Sequence, residues 1–175
     1  MLGMSKAGIF KYYKNKQELF IAVVDKFWFS TQNPRNKFTE TNGTFAEFID
    51  EYVRGVQRTM DMLGDLIGAE REKVAQGKFT YHAQYFHFLF QLLQYDPDAK
   101  EKLRNLVEVD YAYWRAAIQR AIATGELRED VDVEDAVVMF RQVYMGLSFE
   151  MAFMGGLNTQ RLAKHLHAVY SLLKR

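Results

Sequence analysis

The sequence contains no cysteine and only two prolines, Pro34 and Pro97. Without cysteine the chain can form no disulfide, no thiolate metal site and no cysteine nucleophile. The scarcity of proline favours long, uninterrupted helices over a loop-rich or all-β chain. No apolar run approaches the ~20 residues that span a bilayer, and the start has no signal-peptide pattern. We therefore expect a soluble, cytoplasmic protein without a membrane partner.

The net charge is also small, formally +1, but its distribution is uneven. Segment 1–37 contains seven basic and two acidic residues, so it carries +5 and the remaining 138 residues carry −4. A basic segment 1–37 followed by an acidic remainder of the chain favours a polyanionic partner at one end of the molecule. A solvated lysine face explains the same charges about as well.

Caps and apolar spacing predict an all-α chain without internal repeats. Ser5 is a good N-cap for a short helix to about Tyr13, and a second helix spans about residues 16–30. Thr44 and Glu47 form a capping box, Asp96-Pro97 starts a long helix, and Asp132 caps another. The predicted helices of the body span about 44–63, 79–95, 97–124, 133–154 and 159–173. The chain divides into a head, 1–37, and a body, 38–175.

The last two helices predict a dimer. The helix after Asp132 is apolar almost all round, so we expect it to be buried on more than one side. One side can meet its own domain and the other a second copy, in a two-fold four-helix interface. A central helix buried within one subunit is the alternative. The residues predicted for the interface are Val137, Phe140, Tyr144, Leu147, Met151, Leu162, Leu166, Val169 and Leu173.

The head has the pattern of the second half of a helix-turn-helix unit. Leu2-Gly3-Met4 is typical of a helix end and a turn, and Ser5 would cap the recognition helix, whose N-terminal N–H groups favour phosphate. Ile9 and Tyr13 would face inward. Small residues at positions 7 and 8 would allow close approach to base edges.

The stretch SKAGIFKYYKNKQELFIAVV resembles the signature of TetR-family transcriptional regulators, bacterial proteins with an N-terminal DNA-binding unit and a larger helical domain. The resemblance implies a homodimer that binds operator DNA and acts as a repressor, released by a small hydrophobic or aromatic effector. Because the sequence shows no catalytic constellation, we expect no enzyme activity and no cofactor. The DNA-reading positions that it implies are Ser5, Lys6, Ala7, Gly8, Phe10, Lys11, Tyr12 and Lys16.

Two departures from the family pattern concern the head. Members commonly carry tyrosine where this chain has Phe10, which cannot donate a hydrogen bond to phosphate. Only Met1 and Leu2 precede the turn, so the family's first two helices are missing from this sequence, and we expect the chain as given to bind operator DNA poorly. The alternative hypothesis is a naturally shortened helical protein that binds ligands or partners but not DNA.

No catalytic or metal-binding pattern accompanies these features: there is no Gly-rich phosphate loop or nucleophile elbow, and the histidine spacings do not suit joint ligation. Aromatic residues on the helices that line the effector pocket in the resembled family predict an apolar ligand site. Ordinary core packing is the alternative for each of them. Arg115, Gln119, Arg141 and Gln142 are candidate polar partners. The predicted effector residues are Tyr52, Tyr85, Phe86, Phe90, Tyr111, Trp114, Tyr144 and Phe149.

Overall fold

The computed structural model describes residues 11–38, 43–66 and 81–175, with side chains for all of these except 63–66 and 81–84. The predicted DNA-reading residues Ser5, Lys6, Ala7, Gly8 and Phe10 lie outside the described residues. Within the described ranges, the only β pairing is an isolated bridge between Leu127 and Lys174. The predicted all-α fold is therefore confirmed.

The head continues into the body through one helix with an irregular middle. Helix α1 (Lys16–Val23) runs on through a π-helical segment (Val24–Trp28) into α2 (Phe29–Thr31). We call 16–31 the connecting helix. Asn15 caps it by accepting a hydrogen bond from the Glu18 N–H at 2.8 Å. The helix ends before Pro34, as predicted, and Pro34–Asn36 forms one 3₁₀ turn.

The described residues of the body form the helices α3 (Phe45–Leu66), α4 (Tyr81–Tyr95), α5 (Ala99–Ala123), α6 (Val133–Ala152) and α7 (Thr159–Leu173). The predicted capping box starts α3: the Thr44 N–H donates to Glu47 at 2.8 Å, and the Glu47 N–H donates to Thr44 Oγ1 at 3.2 Å. The predicted start of α5 was two residues early. Asp96 instead accepts from the Asp98 N–H at 3.0 Å, and this turn places the helix start at Ala99.

Two packed clusters hold the molecule together. The larger joins α3, α5, α6 and α7 around Trp114, whose ring stacks on Phe140 at a centroid distance of 4.9 Å. The smaller packs the connecting helix on α4 and α5 through Val24, Trp28 and Leu92. Fully burying such side chains stabilises a fold by about 1.5–3 kcal/mol each. The connecting helix is therefore part of the packed body along its second half.

The last two helices, α6 and α7, bury most of the residues that the sequence predicted for a dimer interface. Six of the nine residues predicted for the interface are buried within a single chain: Val137, Phe140, Leu147, Met151, Leu162 and Leu166. Their contact with a second copy stays a prediction. Leu173 packs partly buried against the same core. The apolar periodicity is real, but it faces the chain's own α3 and α5. None of the described helices is long and apolar enough to cross a bilayer.

Candidate functional site

A cavity of about 60 Å³ lies where the connecting helix and the turn after it meet the body. Trp28, Gln32 and Lys37 line one side. The other side is formed by α4, α5 and α6, through the residues Tyr85, Leu103, Leu106, Val107, Asp110, Arg141, Tyr144 and Met145. An apolar cavity of about 150 Å³ is enough for benzene, so this one, as it stands, has room only for a smaller group.

A buried ion pair crosses the cavity wall. Arg141 Nη1 of α6 lies 2.5 Å from Asp110 Oδ2 of α5, and both side chains are almost completely buried. Burial by itself lowers the pKa of Arg141, but the Asp110 carboxylate and the surrounding tyrosines outweigh it, so the net effect is a raised pKa. Neither Asp110 oxygen accepts a well-aligned hydrogen bond from a described residue. The pair is neutral overall and has spare acceptor capacity.

Lys37 brings a second cation to the same cavity. The residue exposes 6% of its surface, and its ammonium lies over the Tyr144 ring, 5.1 Å from the centroid. Among the described residues no carboxylate pairs with it. The backbone at Lys37 packs directly on α3 at Gly55, where a methyl group would overlap the Lys37 carbonyl. The neighbouring Phe38 anchors the turn by stacking on Tyr113 at 4.6 Å.

Tyrosine hydroxyls complete the polar lining. Burial, and then the proximity of Tyr144, raises the pKa of Tyr85. Burial and then the Asp110 carboxylate raise the pKa of Tyr52 well above its ordinary value. Both phenols are therefore neutral hydrogen-bond donors at neutral pH. The Tyr52 hydroxyl, Trp114 Nε1 and Ser148 Oγ are buried without a hydrogen-bond partner in the described part of the chain.

The predicted effector residues fall in several places. Tyr85 and Tyr144 line the cavity. Tyr52 and Trp114 lie in the adjoining core, and Tyr111 is partly buried against it. Phe90 is 62% exposed and lines no part of the cavity. The remaining two, Phe86 and Phe149, pack edge-to-face on each other with their ring centroids 5.2 Å apart, and neither of them lines the cavity.

The candidate polar partners of the effector also lie in different places. Arg141 lines the cavity, whereas Arg115 pairs on the surface with Glu134 and Gln142 faces a shallow groove. The sequence reasoning missed Trp28, Lys37 and Asp110. Asp110 was detectable as a carboxylate within an aromatic-rich helix stretch. Lys37 carried no such signal because its burial depends on the turn after Pro34.

Contacts tie the connecting helix to the cavity walls. Trp28 stacks on Tyr85 with the ring centroids 5.8 Å apart. The Lys102 ammonium of α5 bridges Asp25 of the connecting helix at 2.7 Å and the buried Asp96 at 2.9 Å. The Gln17 amide donates to the Tyr95 carbonyl at 2.6 Å. The connecting helix is therefore held to α4 and α5 at three points.

The three predicted DNA-reading residues that the structure describes are solvent-exposed. Lys11, Tyr12 and Lys16 are all on the surface, with Tyr12 exposing 76% of its area. Their predicted contact with DNA stays a prediction. In the described ranges there is no group of three histidine or carboxylate side chains placed to hold a metal ion.

One known protein family matches most of the body. The family described as "Tetracyclin repressor-like, C-terminal domain" matches residues 46–167, which spans α3 to most of α7. Searches of curated proteins and of solved structures gave no significant match. Together with the all-α architecture, the family match shows that this chain belongs to the TetR family of transcriptional regulators.

Proposed function

We propose that this protein is a ligand-responsive, dimeric repressor. Its head, including Lys11, Tyr12 and Lys16, binds operator DNA, and a small molecule in the cavity releases the protein from the operator. The observation that carries this proposal is that one cavity is lined by both the connecting helix and the body. A ligand there contacts the element that leads to the DNA-binding head.

The proposed mechanism is a shift between two positions of the connecting helix. A ligand can shift such an equilibrium only as far as its affinities for the two states differ. Trp28 belongs to the connecting helix and lines the cavity, where it stacks on Tyr85. A ligand in the cavity therefore contacts Trp28 differently in the two positions of the helix, and its affinities for the two states differ. The π-helical segment lies at the same place, and such segments are common at functional sites. A ligand that displaces Tyr85 therefore moves the connecting helix.

We further propose that the dimer uses the outer face of α6 and α7, and not the full set of interface residues predicted from the sequence. A shallow groove between these helices is lined by Gly146, Leu147, Ala168, Val169 and the exposed Leu172. Leu147 and Val169 are the two predicted interface residues that reach it. Nothing lies within 4 Å of a methyl group placed at Gly146, so another helix can approach closely there. Glu150 and His165 border the same groove and can pair across a two-fold axis.

The test uses the full-length product of the gene and DNA from the promoter beside it. In an electrophoretic mobility shift, we expect a retarded complex that weakens steeply with salt, because phosphate contacts release counterions. A control fragment of equal length from a coding region should bind weakly. If the promoter fragment is not retarded preferentially, the repressor proposal is wrong, and a ligand-binding protein without DNA affinity becomes the better reading.

A further inference from the structure

The charges around the cavity do not balance. Its lining contains two cationic side chains, Lys37 and Arg141, and one carboxylate, Asp110. Asp110 is already engaged by Arg141 at 2.5 Å. Lys37 is the surplus cation: the residue is more than nine-tenths buried, its ammonium lies over the Tyr144 ring, and no carboxylate of the described residues pairs with it. A buried charge without a counter-charge is unfavourable, so a bound anion would gain from neutralising it.

Two tyrosines line the same cavity, and a third lies next to it. Tyr85 and Tyr144 line the cavity with Lys37, and Tyr52 lies directly behind Tyr144, with ring centroids 5.9 Å apart. Neutral phenols and an ammonium together form a donor set suited to a carboxylate. Apart from Gln32, the rest of the lining is apolar and includes Leu103 and Met145. The site therefore combines one anion-binding corner with a short apolar wall.

We propose that the cavity binds a small monocarboxylate, with the carboxylate paired to Lys37 and the short alkyl part against Leu103 and Met145. One surplus positive charge matches a single carboxylate better than a phosphate dianion. The volume of about 60 Å³ limits the alkyl part to a short chain. The proposal rests on the proposed function in that it names the ligand class of the sensor cavity, and it replaces a purely hydrophobic effector.

Isothermal titration calorimetry at pH 7 tests this with three probes of similar size: propionate, its neutral isostere propionamide, and the cation propylammonium. We expect propionate to bind the wild-type protein and the other two to bind at least tenfold more weakly. Lys37→Met should weaken propionate binding about tenfold or more, since a hydrogen-bonded charge partner is lost. Lys100→Met, which removes an exposed lysine of α5, should leave it unchanged.

Lys37→Arg keeps the charge and serves as the conservative variant. It should retain most of the propionate affinity, which also covers the case in which Lys37→Met does not fold. Equal binding of propionate and propionamide, preferential binding of propylammonium, or unchanged affinity in Lys37→Met would overturn the proposal. These measurements contain no DNA. A protein that binds propionate but never releases its operator would refute the proposed function alone, whereas release by a neutral compound would refute this inference alone.

Discussion

Replacing Lys37 with methionine should make the ligand-free protein more stable while it abolishes tight ligand binding. The substitution removes the ammonium of a buried lysine, which has no carboxylate partner among the described residues, and keeps a side chain of similar length. Removing an uncompensated buried charge stabilises a fold, because the desolvation cost of the ion disappears. Sites that bind ligands commonly sacrifice stability in this way.

The expected size follows from two opposing effects. Desolvation of a buried ion costs several kcal/mol at full burial, and we take about 2–3 kcal/mol for an ammonium that faces a cavity. Contact with the Tyr144 ring returns about 0.5–2 kcal/mol. The net gain for Lys37→Met is then on the order of 1 kcal/mol. For a protein of this length, that corresponds to a rise in Tm of about 2–4 °C.

Differential scanning calorimetry, with and without propionate, measures the stability of the ligand-free protein and the stabilisation that the ligand provides. Without ligand, Lys37→Met should melt above wild type, while Lys100→Met should stay within about 0.5 kcal/mol of it. With propionate at a hundred times its Kd, wild type should gain about 2.7 kcal/mol and overtake the variant. A ligand-free Lys37→Met that melts well below wild type would refute the reasoning, since Lys37 would then be stabilised by its surroundings.

Four further predictions follow from named contacts. Gly55→Ala should destabilise the protein by about 1–3 kcal/mol in urea unfolding, because the methyl group overlaps the Lys37 backbone. Unchanged stability of Gly55→Ala would contradict this packing. Gly146→Glu should shift sedimentation from dimer to monomer, because it places a charged side chain in the proposed dimer groove; an unchanged dimer would move the interface elsewhere. Lys102→Met should weaken the effect of the ligand on operator affinity while ligand binding itself is kept, and unchanged coupling would exclude its bridge to Asp25 as a route. Stability, followed by circular dichroism, should fall as the pH rises above 10, because the pKa of Tyr85 is raised in the folded chain and the unfolded chain ionises first; a stability that is flat in that range would contradict the raised pKa.

Local signals in the sequence predicted most of the architecture. The capping box at Thr44 and Glu47 forms as expected, and Asp132 accepts from the Asp135 N–H at 2.9 Å at the start of α6. Gly125 adopts a φ of 74° just after the end of α5. Such signals depend on residues three or four positions apart, so they can be read without knowledge of the tertiary fold.

Residue-level assignments needed the tertiary structure. Apolar spacing shows that Phe140 and Leu166 face something hydrophobic, but not whether that is the chain's own core or a second copy; here it is the core. Phe86 and Phe90 share a helix face by spacing, yet one is buried and the other exposed. The burial of Lys37 depends on a turn that packs on Gly55, which is eighteen positions away in the sequence. No local pattern encodes a contact of that kind.

The link between cavity and operator is tested most directly by following occupancy and DNA release in one sample. The chain contains two tryptophans. Trp28 lines the cavity, so the change in tryptophan fluorescence on addition of propionate reports occupancy, and Trp114→Phe confirms that Trp28 is its source. Anisotropy of labelled promoter DNA bound to the full-length protein reports release. The account predicts that both signals change over the same range of propionate concentration. Saturation of the fluorescence signal with the DNA still fully bound would contradict it.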